Sequence, residues 1–300
     1  MPVYDRRYRG YSGERDESRF RFWTVARFAL QDLFKSRLAL VLLIASCLPP
    51  LVIGGMIYIS NNLDMLTAIG WKVSGEDVDG NWLAIDKEPF FWFMVWQSMF
   101  AFFLASFIGP TLVAPDLAHN ALPLYLSRPL KRTDYIAGKL LVLLVPLSAI
   151  TWVAGLLLVT LQTSLAGFGW LTAHWQIVPA LFFGSWIWIL LLSLLAIAVS
   201  AWVKWRMVAT GMLFGIFVVG EAFGKAISEI GGLRWGKLLA FDDVVQAIWA
   251  WLFGGIDFLG GPFPEDPLPL PANFAMVAAV IAVSLWILNR KIRACEVSRS

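Results

Sequence analysis

The fold is decided by residues 177–203, IVPALFFGSWIWILLLSLLAIAVSAWV, which form an apolar run without a charged side chain. A helix of about 20 apolar residues, rising about 1.5 Å per residue, is long enough to cross the hydrocarbon core of a bilayer. Reading outward from this run gives five more of similar character. The six predicted spans are residues 38–60, 90–114, 140–162, 177–203, 207–224 and 272–288.

The composition of the whole chain agrees with these spans. Of its 300 residues, 59% are apolar and only 15% are charged, and the mean hydropathy is +0.69. Soluble domains carry about 45–50% apolar and about 25% charged residues. One soluble globule cannot bury an excess of this size. These values disfavour a soluble enzyme, a disordered chain and a coiled coil, and they predict an all-α polytopic membrane protein.

Charged residues are divided unevenly between the segments that connect the spans. Segments 1–37, 115–139, 204–206 and 290–300 hold 19 basic and 8 acidic residues, whereas the alternate segments hold 5 basic and 13 acidic residues. Short loops rich in Lys and Arg remain on the cytoplasmic side. The pattern therefore predicts a multi-pass protein of the cell membrane, inner or plasma membrane, with both termini in the cytoplasm.

An amphipathic stretch precedes the first span. Within residues 22–37, Trp23 and Leu30 fall on one side of a helix, and Arg27 and Lys35 fall on the other. This arrangement is typical of a helix that lies in the inner membrane interface. The alternative is that these residues form the cytoplasmic end of the first span itself.

A second amphipathic stretch, residues 236–253, precedes the last span. Its apolar part is too short to cross a bilayer, and acidic residues flank it. We therefore predict an interfacial or re-entrant helix on the outer face. Residues 1–21 are too polar for a signal peptide and are interpreted as a cytoplasmic tail, and residues 290–300 as a basic cytoplasmic tail.

The sequence offers no signature of metal or nucleotide chemistry. The predicted topology places His119 and His174 on opposite sides of the membrane, where they cannot share a site. Residues 231–237 match the first seven positions of a phosphate-binding loop, but Leu238 stands where Ser or Thr would bind magnesium. We expect no enzymatic activity in this chain, no bound metal and no cofactor of its own, and nothing points to nucleic acid.

One ionisable side chain stands out inside the predicted spans. Glu221 lies near the outer end of the fifth span, and Lys225 follows it by one helical turn. Ion-coupled carriers depend on carboxylates within the membrane. An ion pair between these two residues at the i,i+4 spacing is the simpler interpretation, because such pairs are common on helices.

Small residues and prolines within the spans predict close packing and bends. Two Gly-x-x-x-Gly pairs on the fifth span are expected to let helices approach within one chain, or across a dimer: Gly211, Gly215, Gly220 and Gly224. Pro49, Pro50 and Pro146 lie inside the first and third spans. Each of them should kink its helix, because proline lacks the N–H that a helix needs.

The most informative segment is the cytoplasmic loop 115–139, PDLAHNALPLYLSRPLKRTDYIAGK. Leu122, Leu124 and Tyr125 are apolar residues among basic ones, a pattern that is typical of a docking surface. Within it, residues 125–139 resemble the signature of type-2 ATP-binding-cassette (ABC) transporter permeases, Leu-Leu-Ser-x-Pro-[Val/Leu]-Ser-Arg-x-Glu-Tyr-x-x-Gly-Lys. The matching positions are Ser127, Pro129, Arg132, Tyr135, Gly138 and Lys139.

Two further features extend this resemblance. Asp116 matches an acidic residue that follows the second span in that family, and residues 200–206, with Lys204 and Arg206, resemble its short turn between spans four and five. The resemblance implies a permease that pairs with a second copy or a homologous permease. It also implies a separate ATPase subunit that carries ATP and magnesium and contacts this loop and the interfacial helix.

From this resemblance we expect Asp116–Tyr125 to dock on the ATPase, and Arg132 and Lys139 to anchor the loop to lipid headgroups or to the partner. The neutral, aromatic span interiors favour a lipid-like or amphipathic substrate, and the resemblance implies that this substrate is exported. Two other functions stay open: a scaffold that moves no substrate, and a secondary carrier that works through Glu221.

Overall fold

The computed structural model describes residues 21–62, 85–119, 132–203, 205–255 and 268–291, and every regular element among them is a helix. The helices are α1 (Arg21–Lys35), α2 (Arg37–Ala45), α3 (Leu48–Asn61), α4 (Lys87–Ala118), α5 (Arg132–Ser148), α6 (Ala154–Ala166), α7 (Phe168–Ala173), α8 (Ile177–Trp202), α9 (Arg206–Phe214), α10 (Gly220–Ile230), α11 (Phe241–Leu252) and α12 (Leu270–Lys291). Five-residue π-helical segments, Ala149–Val153 and Gly215–Val219, join α5 to α6 and α9 to α10.

Six helical stretches are long and apolar enough to cross a membrane, which confirms the predicted number. In chain order they are Arg37–Asn61, Lys87–Ala118, Thr133–Ala166, Ile177–Trp202, Arg206–Ile230 and Leu270–Lys291. Most of these helices extend several residues beyond the predicted ends, because polar and charged residues such as Lys87 and Asp116 continue the helix past the apolar run. The term span refers below to these six stretches.

The second and fourth spans form the centre of the bundle. Buried residues make up 67% of the most apolar part of the fourth span and only 17% of that of the first span. The two central helices touch at Gly109, where an added Cβ would lie 2.5 Å from the Cβ of Ala196. Ser200 follows one turn later on the same face and accepts a hydrogen bond from the backbone N–H of Ala114 at 2.9 Å.

Prolines remove N–H groups from the helices, and neighbouring spans satisfy two of the carbonyl groups that are left without an N–H. The first span is interrupted between α2 and α3, immediately before Pro49 and Pro50. Gln97 of the second span donates a hydrogen bond to the Ser46 carbonyl, 3.1 Å away. Thr210 of the fifth span likewise donates to the Ser106 carbonyl at 3.1 Å, four residues before Pro110. The helix of the first span is therefore interrupted where a kink was predicted, and one hydrogen bond from the second span satisfies a carbonyl at the interruption.

The third span has an irregular segment of another kind. Pro146 lies inside α5, and three residues later the helix widens into the π-helical segment Ala149–Val153. The hydroxyl of Thr151 in this segment donates to the carbonyl of Leu147 at 2.7 Å. Such local widening often accompanies a functional region of a helix.

Two of the helices that lie outside the spans, α1 and α11, fall in the stretches that were predicted to be interfacial. Extended backbone at Ser36 separates α1 from the first span, so α1 is an element of its own and does not continue that span. The stretch that was predicted as one helix over residues 236–253 is two elements, a 3₁₀ helix over Arg234–Leu239 and then α11. The break falls at Ala240, where the backbone leaves the helical region. At 12 residues, α11 is about 18 Å long and does not span a bilayer.

Candidate functional site

A compact polar cluster joins the second and third spans where the second span ends. The Nζ of Lys139 lies 2.9 Å from Oδ2 of Asp116, and the hydroxyl of Tyr135 donates to the same oxygen at 2.7 Å. Tyr135 is fully buried, and Lys139 is only 7% exposed. We call Asp116, Tyr135 and Lys139 the junction cluster.

The local sequence explains this geometry. Tyr135 and Lys139 are four residues apart on α5, so their side chains share one face of the helix. Asp116 lies in the last turn of α4, where a negative charge is unfavourable because the helix dipole is negative at that end. The ammonium of Lys139 neutralises this charge, and the ion pair ties the two span ends together.

Helix α1 packs directly against α5, the helix that carries Tyr135 and Lys139. An added Cβ on Gly138 would lie 2.9 Å from both the Phe22 carbonyl oxygen and the Cβ of Val25, so the two helices are in backbone contact at this point. Ala26 and Leu33 of α1 are buried in the same interface. The third span therefore contacts α1 through Gly138 and the second span through the junction cluster.

The position of Lys139 corrects one expectation. Its ammonium was expected to anchor the loop to lipid headgroups or to a partner, but it is buried and paired with Asp116. Lys139 therefore holds the spans together. Arg132 begins α5, and its side chain lies outside the described residues.

Several other predicted site residues also lie outside the described residues. They are Leu122, Leu124, Tyr125, Ser127, Pro129 and Lys204. On α1, Leu30 is half-buried, whereas Trp23, Arg27 and Lys35 are exposed, and Lys35 pairs with Asp32 at 3.1 Å. Trp23 is thus turned outward and does not pack on the bundle with Leu30. Arg206 is also exposed, at the start of α9.

The glycine pairs of the fifth span behave differently from one another. Gly220 and Gly224 face the 3₁₀ helix, and an added Cβ on Gly224 would lie 2.6 Å from the Gly236 carbonyl oxygen. Gly211 and Gly215 were expected to pack within the chain or across a dimer, and among the described residues no atom lies within 4 Å of an added Cβ on either one. The face that carries them is not covered by the described part of the chain, whereas Ala209 and Leu213 on the same helix are buried.

Glu221 forms the ion pair that its spacing predicts, with Oε1 2.6 Å from the Nζ of Lys225. Glu221 also lines a cavity of about 490 Å³ between the second span, the fifth span and α11. Asp242 lines the same cavity and accepts a hydrogen bond from Gln246 at 3.0 Å. Sequence reasoning singled out Glu221 but missed Asp242, which was noted only as one of the acidic residues that flank the apolar stretch.

The electrostatics at this cavity are unusual. Burial raises the pKa of Asp242 to about 6, and the nearby negative charges of Glu221 and Asp243 add to the effect. Burial also raises the pKa of the neighbouring Asp243. Apart from Glu221, the sequence signal of this site is the adjacent acidic pair at the start of an apolar helix.

The two histidines lie at opposite ends of the second span. Nε2 of His174 is 3.2 Å from Asp86, just before that span, and Nδ1 of His119 is 2.8 Å from the Pro115 carbonyl oxygen at its other end. Within the described ranges, no group of three His, Cys, Asp or Glu side chains could hold a metal ion. The histidines therefore have separate local contacts and form no common site.

A comparison with protein-family models finds none that matches this chain, and a comparison with curated proteins finds no matching relative.

Proposed function

We propose that the chain is the permease subunit of an ATP-driven exporter similar to type-2 ABC transporters. Both termini would be cytoplasmic, α1 would lie in the inner interface, and α11 would lie on the outer side as an interfacial or re-entrant helix. A separate ATPase subunit would supply ATP and magnesium, so this chain would perform no catalysis itself.

The junction cluster carries this proposal. Segment 120–131 leaves the second span next to Asp116 and enters the third span before Tyr135 and Lys139. A force applied to that segment by a partner would act on both spans and, through the contact at Gly138, on α1. A buried polar contact that joins two spans suits a subunit whose helices are moved by a partner.

A second permease copy or a homologous permease would pack against the fifth span. Gly211 and Gly215 lie on a face that the described part of the chain leaves uncovered, and Met207 and Val208 nearby are exposed. Small residues at an open helix face allow two helices to approach closely in a membrane. An amphipathic substrate would suit the neutral and aromatic interior of the bundle, and membrane lipids would surround it.

Association with the ATPase tests the proposal. A variant that carries Arg132→Glu and lacks Leu124 and Tyr125 should bind the candidate ATPase at least about tenfold more weakly, because a few apolar anchors dominate such interfaces. The measurement is co-purification from solubilised membranes together with stimulation of ATP hydrolysis.

Arg290→Glu is the matched control, because it reverses a charge at the predicted cytoplasmic end of another span. It should leave both readouts unchanged. Unchanged association of the loop variant would refute docking at this loop and favour the scaffold. Transport that needs Glu221 but survives ATP depletion would favour the carrier.

A further inference from the structure

The cavity lined by Glu221 and Asp242 has walls of an uncommon composition. Its base is formed by Trp188 and Phe217, which are 2% and 8% exposed and meet edge to face with ring centroids 5.8 Å apart. The ring of Phe102 lies beside that of Phe217, tilted by 58° with the centroids 4.8 Å apart. The base of the cavity is therefore lined by aromatic rings.

The rim of the cavity is open. Trp96, Met99 and Val218 line it, and each is more than half exposed, so a ligand has a lateral entry between the second and fifth spans. A volume of about 490 Å³ lies within the range of about 300–1,000 Å³ that small-molecule sites occupy. The cavity is thus large and accessible enough for a small organic molecule.

The charge of the cavity selects the kind of molecule. Two carboxylates, Glu221 and Asp242, line it, and no Lys or Arg is among its described lining residues. Lys225 neutralises Glu221 through their ion pair, whereas Asp242 has a neutral partner, Gln246, for its hydrogen bond. The balance therefore leaves a net negative site beside aromatic faces, and both features attract cations.

We propose that this cavity binds a hydrophobic organic cation, such as an aromatic phosphonium or quaternary ammonium compound. The cation would rest against Trp188 and Phe217 and face the carboxylate of Asp242. This inference deepens the proposed function by naming a substrate class for the same membrane domain. Binding to the chain alone does not require the ATPase, so its failure and the failure of ATPase docking are distinguishable.

A direct binding measurement tests this assignment. The full chain in phosphatidylcholine nanodiscs should bind radiolabelled tetraphenylphosphonium saturably. Methyltriphenylphosphonium should compete for the site, whereas triphenylphosphine oxide, a neutral molecule of similar shape, should not. Absence of saturable binding, or equal competition by the neutral compound, would overturn the proposal.

Variants locate the site. Asp242→Asn keeps a hydrogen-bond acceptor for Gln246 but removes the charge, and it should weaken binding about tenfold. Trp96→Leu changes an exposed rim residue and should also weaken binding. If Asp242→Asn fails to fold, this second variant still tests whether the cation binds in the cavity. Glu229→Gln is the control and should bind normally, because Glu229 is an exposed carboxylate on the fifth span, which also carries Glu221. Normal binding by both cavity variants would overturn the assignment.

The dependence on pH gives an independent readout. Asp242, with a pKa of about 6, is ionised near pH 7.5 and mostly protonated near pH 5, so cation binding should weaken as the pH falls through this range. Glu221, Lys225 and Asp243 are the other charged groups around it. The pH dependence should be lost in Asp242→Asn. A dependence that survives in this variant would contradict the role of Asp242.

Discussion

Replacing Asp116 by Ala is expected to destabilise the folded chain by about 3 kcal/mol, the cost of leaving one member of a buried ion pair without its partner. The side chain of Lys139 is only 9% exposed, so its ammonium would lose its counter-ion without gaining full hydration. The hydroxyl of Tyr135 would lose the Asp116 carboxylate as its acceptor. The free energy of unfolding in mixed micelles of lipid and denaturing detergent measures this effect.

Two further variants show that the effect comes from an unpaired buried charge. Adding Lys139→Met to Asp116→Ala should restore most of the lost stability, because an apolar pair can replace a buried ion pair at little cost. Asp32→Ala removes the exposed partner of Lys35, and it should change the stability by less than about 1 kcal/mol. If Asp116→Ala were as mild as Asp32→Ala, the junction cluster would not hold the spans together.

Replacing Gly138 by Leu is expected to detach α1 from the third span. A side chain at this position meets the Phe22 carbonyl oxygen and Val25 at 2.9 Å, and backbone in a helix cannot move aside locally. Amide hydrogen exchange across residues 22–35 should therefore quicken by about tenfold or more, because the helix loses the packing that protects it.

The matched control is Gly55→Leu in the first span, where no atom lies within 4 Å of an added Cβ. Exchange in α1 should stay at its original rate in this variant. Unchanged exchange in Gly138→Leu would mean that α1 tolerates the side chain, and that the contact does not fix its position. With the proposed function, loss of this contact should also reduce the coupling of ATP hydrolysis to transport.

The number of spans could be predicted from the sequence, because 20-residue apolar runs reflect a simple physical requirement. The run 177–203 and the α8 helix Ile177–Trp202 agree almost to the residue, since a charged loop bounds the run at one end. Most of the other helices extend beyond the predicted span ends, because polar residues such as Lys87 and Asp116 continue the helix. Apolar runs report the membrane core, whereas helices continue into the interface.

The candidate sites were less predictable, because they depend on which helix faces meet. Asp116, Tyr135 and Lys139 were each singled out by motif, but their mutual contact requires the ends of two spans to lie side by side. The role of Asp242 depends on a cavity whose other walls come from the second and fifth spans. Gly211 and Gly224 share one sequence pattern, yet only Gly224 contacts the bundle.

The central claim is that the loop between the second and third spans docks on a separate ATPase, and photo-cross-linking in living cells tests it most directly. A photoreactive amino acid at Leu124 should capture a protein that carries a complete phosphate-binding loop and hydrolyses ATP. The same group at Ile230, which is 89% exposed beyond the other end of the bundle, should not capture it. Capture of no ATP-binding protein from Leu124, or equal capture from both positions, would contradict the claim.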